Sequence, residues 1–223
     1  MNGTIIEISE TASELILQVV LEKELFPLPG QYLSIRSNDP STVLPVSAYP
    51  ISARGQVLSL LPDKAEHWHV GQEISLRGPL GNGFSLPVSA GRIGLIGLTQ
   101  KQALCLLPLA RALLDSGKEV ALVSDAVLQG LPMDLEILPG EQAIEVCAWA
   151  EAAAFAVGRE EIGPLLSRYR FESIRKTIEV LVITEMPCSG TAVCGVCAVA
   201  TKKGWKHACK EGPIFALNEL VEE

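Results

Sequence analysis

Through the first 88 residues, apolar positions come in short runs separated by turn residues. The run Glu14 to Leu21 is apolar enough for a core strand. The run Gln31 to Arg36 alternates as a half-buried strand does, and Pro29-Gly30 marks the turn before it. Arg54-Gly55 separates Ile51-Ser52 from Gln56 to Leu60, a hairpin signal, and Glu73 to Arg77 closes the series. Short strands at this spacing predict an all-β barrel or sandwich.

The period changes near residue 91. Arg92 to Gly97 reads as a buried strand, and Lys101 to Ser116 as a helix ended by Gly117. Glu119 to Ser124 and Ala143 to Trp149 read as further buried strands, Arg159 to Tyr169 as a helix, and Thr177 to Ile183 as a last strand. Buried strands alternating with helices imply a parallel sheet. The fold class is therefore β followed by α/β, with a small cysteine-rich piece at the end. The expected divisions are 1–88, 89–184 and 185–223. No repeat or low-complexity tract interrupts them.

Composition adds a core and excludes some partners. Apolar residues make up 48% of 223, enough for sizeable cores, and the net charge is −8. An acidic chain without a basic run does not suit nucleic acid or an anionic membrane surface. The apolar run near Leu104 to Leu114 is broken by Pro108 and Arg111 and is too short to span a bilayer. The N-terminus lacks a basic region followed by a continuous apolar stretch. A cytoplasmic location is expected, where clustered cysteines serve as metal ligands more often than as disulfides.

Four of the six cysteines, Cys188, Cys194, Cys197 and Cys209, lie within 22 positions, spaced C-x5-C-x2-C-x11-C. Ser189, Gly190, Thr191, Ala192 and Gly195 fill the gaps and let the backbone pass close to a bound centre. A zinc ribbon usually shows two C-x2-C knuckles, and here there is one, Cys194–Cys197. The spacing is nearer the plant-type iron–sulfur pattern with one residue added, so a [2Fe–2S] cluster is expected ahead of [4Fe–4S] or zinc. Cys105 and Cys147 fall in apolar patterns and read as buried, inert thiols. His67-Trp68-His69 reads as a surface loop without further ligands. His207 is not needed beside four thiols. Trp205 is expected to shield the cluster. Lys202, Lys203, Lys206 and Lys210 are either solvated charge or a docking patch for an acidic redox partner.

Met186-Pro-Cys-Ser-Gly, Cys194-Gly-Val-Cys-Ala-Val199 and Gly204 to Phe215 resemble the iron–sulfur module of the electron-transfer subunit of type B dihydroorotate dehydrogenase, within the ferredoxin-reductase superfamily. The resemblance extends more weakly over the whole chain. It implies an FAD-binding antiparallel Greek-key barrel, an NAD-binding α/β domain, and a C-terminal [2Fe–2S] module that passes electrons to a flavoprotein partner in a hetero-oligomer. It also assigns flavin contacts to Pro45, Ser47, Gly78, Gly81 and Gly83, with Tyr49 as a substitute ring out of register. Leu44 stands where the family has a phosphate-binding arginine, and Val46 where it has an aromatic ring. The Gly-Thr expected near Asp63-Lys64 is absent. Leu98, Thr99, Gln100 and Lys101 stand where a dinucleotide loop has glycines. FAD and NADH binding are therefore expected to be weakened or lost, with the cluster retained. No catalytic acid, base or nucleophile is named. Two other readings stay open: a zinc-stabilised, non-redox structural or regulatory subunit, and an intact NADH-dependent flavoprotein reductase.

Overall fold

The computed structural model describes residues 1–11, 13–38, 44–64, 68–169 and 176–222. Six strands close into an antiparallel barrel in the order β1-β2-β5-β4-β3-β6. They are β1 (Asn2–Glu10), β2 (Leu15–Leu21), β3 (Tyr32–Ser37), β4 (Val46–Arg54), β5 (Val57–Pro62) and β6 (Glu73–Leu80). Alternation does the sorting. On β2, Leu17, Val19 and Leu21 point inward to meet Ile5, Leu33, Ile35, Leu58, Leu60 and Ile74. In the pairing of β3 with β4, Ser34 lies opposite Ser47.

The second body is a six-stranded sheet ordered β14-β11-β10-β7-β8-β9. Its parallel strands are β7 (Arg92–Ile96), β8 (Glu119–Val123), β9 (Glu136–Leu138), β10 (Ala152–Gly158) and β11 (Ile178–Ile183). Helix α1 (Gln100–Asp115) follows β7, and Thr99 caps it in a capping box with Gln102. It ends at Gly117, whose φ of 76° is the left-handed conformation that stops a helix. Helix α3 (Ile162–Tyr169) follows β10. The chain leaves β7 toward β8 on one side and returns as β10 on the other. The loops after β7 and β10 therefore flank the sheet's topological switch point.

One expected strand is corrected. Ala143–Trp149 is a helix, α2. Ala143, Val146, Cys147 and Ala150 are buried, while Ile144, Glu145 and Ala148 face out. That is helical spacing; a strand would have buried alternate positions. The parallel slot beside β7 is taken instead by the alanine-rich β10, which strand propensity disfavours but complete burial between two neighbours accommodates. Strand β1 was likewise not anticipated from the pattern.

The C-terminal stretch forms a hairpin of β12 (Ala198–Thr201) and β13 (Gly204–His207), then the short helix α4 (Ala208–Glu211). It returns as β14 (Ile214–Ala216), antiparallel to β11, so the cysteine-rich piece supplies the last strand of the sheet. Asn82, just beyond β6, fastens this return. Its N–H donates to Gly212 O (2.7 Å), its Nδ2 to Ile214 O (2.9 Å), and its Oδ1 accepts from Ile214 N (2.9 Å). Among the described residues no helix is long and apolar enough to cross a membrane.

Candidate metal centre

The ligand loop leaves β11 and runs from Thr184 into the cysteines. Its backbone is sharply turned. Gly190 and Gly195 have φ of 83° and 72°, and Ser189 and Ala192 adopt 52° and 60°, which residues with a Cβ rarely do. Such conformations persist only where the surroundings hold them. They fold the loop back so that Cys188 Sγ lies 3.7 Å from Cys209 Sγ. Four thiolates about 2.3 Å from one tetrahedral centre are about 3.8 Å apart, so this pair already has the spacing of two ligands on one metal. Cys197 Sγ accepts a hydrogen bond from Cys209 N (3.4 Å), as a sulfur in a thiolate-ligated site does. Cys197 and Cys209 are buried, Cys188 is half-buried and Cys194 is exposed.

The thiol electrostatics follow this packing. Partial burial pushes the Cys188 thiol up, but the Thr191 hydroxyl, the Ala192 N–H and the thiols of Cys209 and Cys194 outweigh it and bring it down to about 6. Burial, then the hydrogen bonds and charges of Cys197 and Cys188, push Cys209 up to about 12. A cation in their midst would relieve that conflict, which is the chemistry of a thiolate metal site. Contacts run from Cys194 to Cys188, from Cys188 to Cys209 and from Cys209 to Cys197, so the four thiols share one neighbourhood. The donor set thus fits a [2Fe–2S] cluster.

The barrel reaches this loop directly. Tyr32, fully buried on β3, donates its hydroxyl to Cys209 O (2.9 Å). Ser34, two residues further along the same face, pairs its hydroxyl with that of Ser189 (2.7 Å). Arg159 donates to Val196 O (2.9 Å) and Ala198 O (3.3 Å), bracing the Cys194–Cys197 knuckle. None of these residues was singled out in the sequence, because 155 and 177 positions separate the serine pair and the tyrosine from their partners.

Other expectations around the centre change. Trp205 is 64% exposed on β13. Lys206 is held by Glu219 (2.7 Å) beside the Phe215 ring, whereas Lys202, Lys203 and Lys210 are exposed. His207 N donates to Glu211, whose carboxylate also lies 3.9 Å from the imidazole. His67 lies outside the described residues; Trp68 packs against the barrel core.

The residues assigned to flavin have the following surroundings. Ser47 is buried; its hydroxyl accepts from Met186 N (2.9 Å) and lies against the Asp63 carboxyl. Tyr49 is buried in the seam between barrel and sheet. Pro45 is half-buried, and Leu44 is 60% exposed. Gly78, Gly81 and Gly83 pack against the chain itself. A Cβ on Gly78 would lie 2.6 Å from Leu33, one on Gly81 2.5 Å from Pro213, and one on Gly83 3.0 Å from Leu28. These glycines serve close chain approach.

A crevice of about 620 Å³ opens at the switch point, between the barrel and the ends of β7, β10 and β11. Glu14, Asp63, Glu160, Glu161 and Glu185 line it, against the single lysine Lys101. Lys101 reaches Asp63 O (3.3 Å), and next to it Gln100 Oε1 accepts from the hydroxyls of Thr11 (3.0 Å) and Ser13 (2.9 Å). Glu161 accepts from Gln102 Nε2 and Gly158 N, both at 2.6 Å. Carboxylates beside the α1 N-terminus repel a pyrophosphate where a dinucleotide fold would attract it. Burial, offset in part by Ser47 and Lys101, pushes Asp63 up to about 6. The carboxylate lining does not suit the pyrophosphate of NADH, and Leu44, with neither charge nor donor, does not suit a flavin phosphate.

Barrel, parallel sheet and terminal cysteine loop together make a ferredoxin-reductase-like fold with an iron–sulfur module appended. The fold matches the structure of an NADH-dependent reduced ferredoxin–NADP oxidoreductase studied for flavin-based electron bifurcation, with a TM-score of 0.78, 16% identity, and coverage of 98% of this chain and 89% of that one. Within that class, residues 184–221 match the iron–sulfur cluster binding domain of dihydroorotate dehydrogenase B. The chain as a whole is similar to the electron-transfer subunit of dihydroorotate dehydrogenase B (NAD(+)). It is 26% identical to that of Clostridium acetobutylicum over 225 residues (92% of this chain, 91% of the relative). It is also 26% identical to that of Desulforamulus reducens over 235 residues (88% and 87%).

Proposed function

We propose that this chain is an electron-transfer subunit whose Cys188, Cys194, Cys197 and Cys209 hold a [2Fe–2S] cluster within a larger oxidoreductase. The observation that carries the reading is the 3.7 Å approach of the Cys188 and Cys209 sulfurs, with Cys197 Sγ accepting from Cys209 N, inside the segment that matches a cluster-binding domain. When bound, such a cluster takes up and returns one electron at a time. The protein's part is to hold the thiolates, keep Cys197 and Cys209 from water, and leave Cys194 at the surface. Val193 and Val196, the neighbours of Cys194 in the loop, are exposed with it and make an apolar face there. We assign this face to a flavoprotein subunit of the dihydroorotate-dehydrogenase type, in a hetero-oligomer. The reducing conditions of the cytoplasm would keep the thiols available. Electrons come from a donor other than NADH bound to this chain, since carboxylates line the switch-point crevice.

Anaerobic purification tests the proposal. Two irons and two sulfides per chain, with an electron-paramagnetic-resonance signal after dithionite reduction, are expected. A colourless protein carrying one zinc would overturn it. Stoichiometric flavin bleached by NADH would instead establish the intact reductase.

A further inference from the structure

We infer that Ser34 and Ser47 are positioning residues for the cluster loop, and that Ser47 is not a flavin contact. The inference rests on the proposed function above. The two serines face each other across β3 and β4, and both are buried. Each grips the same short stretch of the ligand loop: Ser47 Oγ accepts from Met186 N at 2.9 Å, and Ser34 Oγ bonds Ser189 Oγ at 2.7 Å. The first ligand, Cys188, lies between those anchors. Ser189 is, among the described residues, one of two non-glycine residues held in the left-handed region, a conformation that relaxes unless something fixes it. Tyr32 completes the grip by holding the carbonyl of Cys209, the ligand 3.7 Å from Cys188.

The same contacts already engage Ser47. One of its lone pairs takes the Met186 N–H, and its hydroxyl lies against the Asp63 carboxyl. The backbone of residues 184–186 passes over it, and Glu185 is tied to Lys64 of the barrel at 2.8 Å. A ring approaching this hydroxyl would have to displace the segment that leads into Cys188. The serine pair therefore sets the geometry of the cluster and closes the barrel face at once.

The test uses the full, cluster-loaded chain and the hydroxyl deletions Ser34→Ala and Ser47→Ala. The control is Ser52→Ala, which breaks a comparable barrel hydroxyl pair with Ser59 (2.8 Å) that touches no part of the loop. Iron release to a chelator and the resonance spectrum of the reduced cluster are read beside flavin content. Each loop variant should release iron roughly fivefold faster, the factor that one lost hydrogen bond gives, with altered g values. Ser52→Ala should match wild type in both. Unchanged release and spectra in both loop variants would overturn the inference, as would Ser47→Ala acting solely by emptying a wild-type flavin site. A wild-type protein without iron and sulfide overturns the proposed function first, and this inference with it.

Discussion

Asn82→Ala should cost about 2–4 kcal/mol of folding stability. Asn82 is the residue through which the end of the barrel holds the returning C-terminal strand. Its side chain satisfies both the N–H and the C=O of Ile214 at 2.9 Å, and Ile214 is 5% exposed. Each such bond contributes about 1 kcal/mol net, and each buried group left without a partner adds about 1–3 kcal/mol, reduced where water can enter. Part of the deficit should appear as earlier release of the cluster, because β14 and the ligand loop flank the same hairpin. Urea unfolding followed by far-ultraviolet circular dichroism and by visible absorbance measures both. Asn82→Asp sharpens the test. Its carboxylate still accepts from Ile214 N–H but sets a second oxygen against the Ile214 carbonyl. Its deficit should shrink between pH 8 and pH 5, as the protonated acid regains a donor. If Asn82→Ala lies within about 0.5 kcal/mol of wild type, the usual range for an inconsequential surface change, the tether assigned to Asn82 is refuted.

Gly81→Ala should cost about 2–4 kcal/mol: the position has φ 73°, worth about 1–2 kcal/mol against a Cβ, and the added carbon would lie 2.7 Å from Gly212 O. Gly117→Ala, left-handed but open, should cost only the first part, and equal losses in the two variants would contradict the packing argument. Asp63 has a folded-state pKa of about 6, raised mainly by burial above its ordinary value of 3.8, so the folded state holds its proton where the unfolded chain has lost it. Its contribution is destabilising above pH 6 and fades as pH falls toward 4. Asp63→Asn should therefore stabilise by up to about 3 kcal/mol at pH 8 and by roughly half that at pH 5, judged by chemical unfolding at each pH. A gap that widens on acidification would contradict that sign.

The barrel strands were legible because inward positions alternate strictly, as at Leu17, Val19 and Leu21. The parallel sheet was legible because β7, β8 and β11 are continuous apolar runs. Ala143–Trp149 was not, since seven residues satisfy two periods and only the neighbours choose between them. Nor was β10, whose alanines carry no strand signal and gain their place from complete burial.

The spacing of the cysteines by itself pointed to the metal chemistry proposed above, since composition and loop length are local facts. The replacements at Leu44 and Leu98 to Lys101 likewise gave reason to expect weakened cofactor sites. Tertiary structure alone decided what took those sites' place: Ser47 turned to Met186, and Gln100 and Lys101 bridged to the barrel. It also decided that Tyr32 and Ser34 reach Cys209 and Ser189. Hydrogen bonds between residues more than a hundred positions apart leave no periodicity in a sequence. They exist only once the barrel has closed and the last strand has joined the sheet.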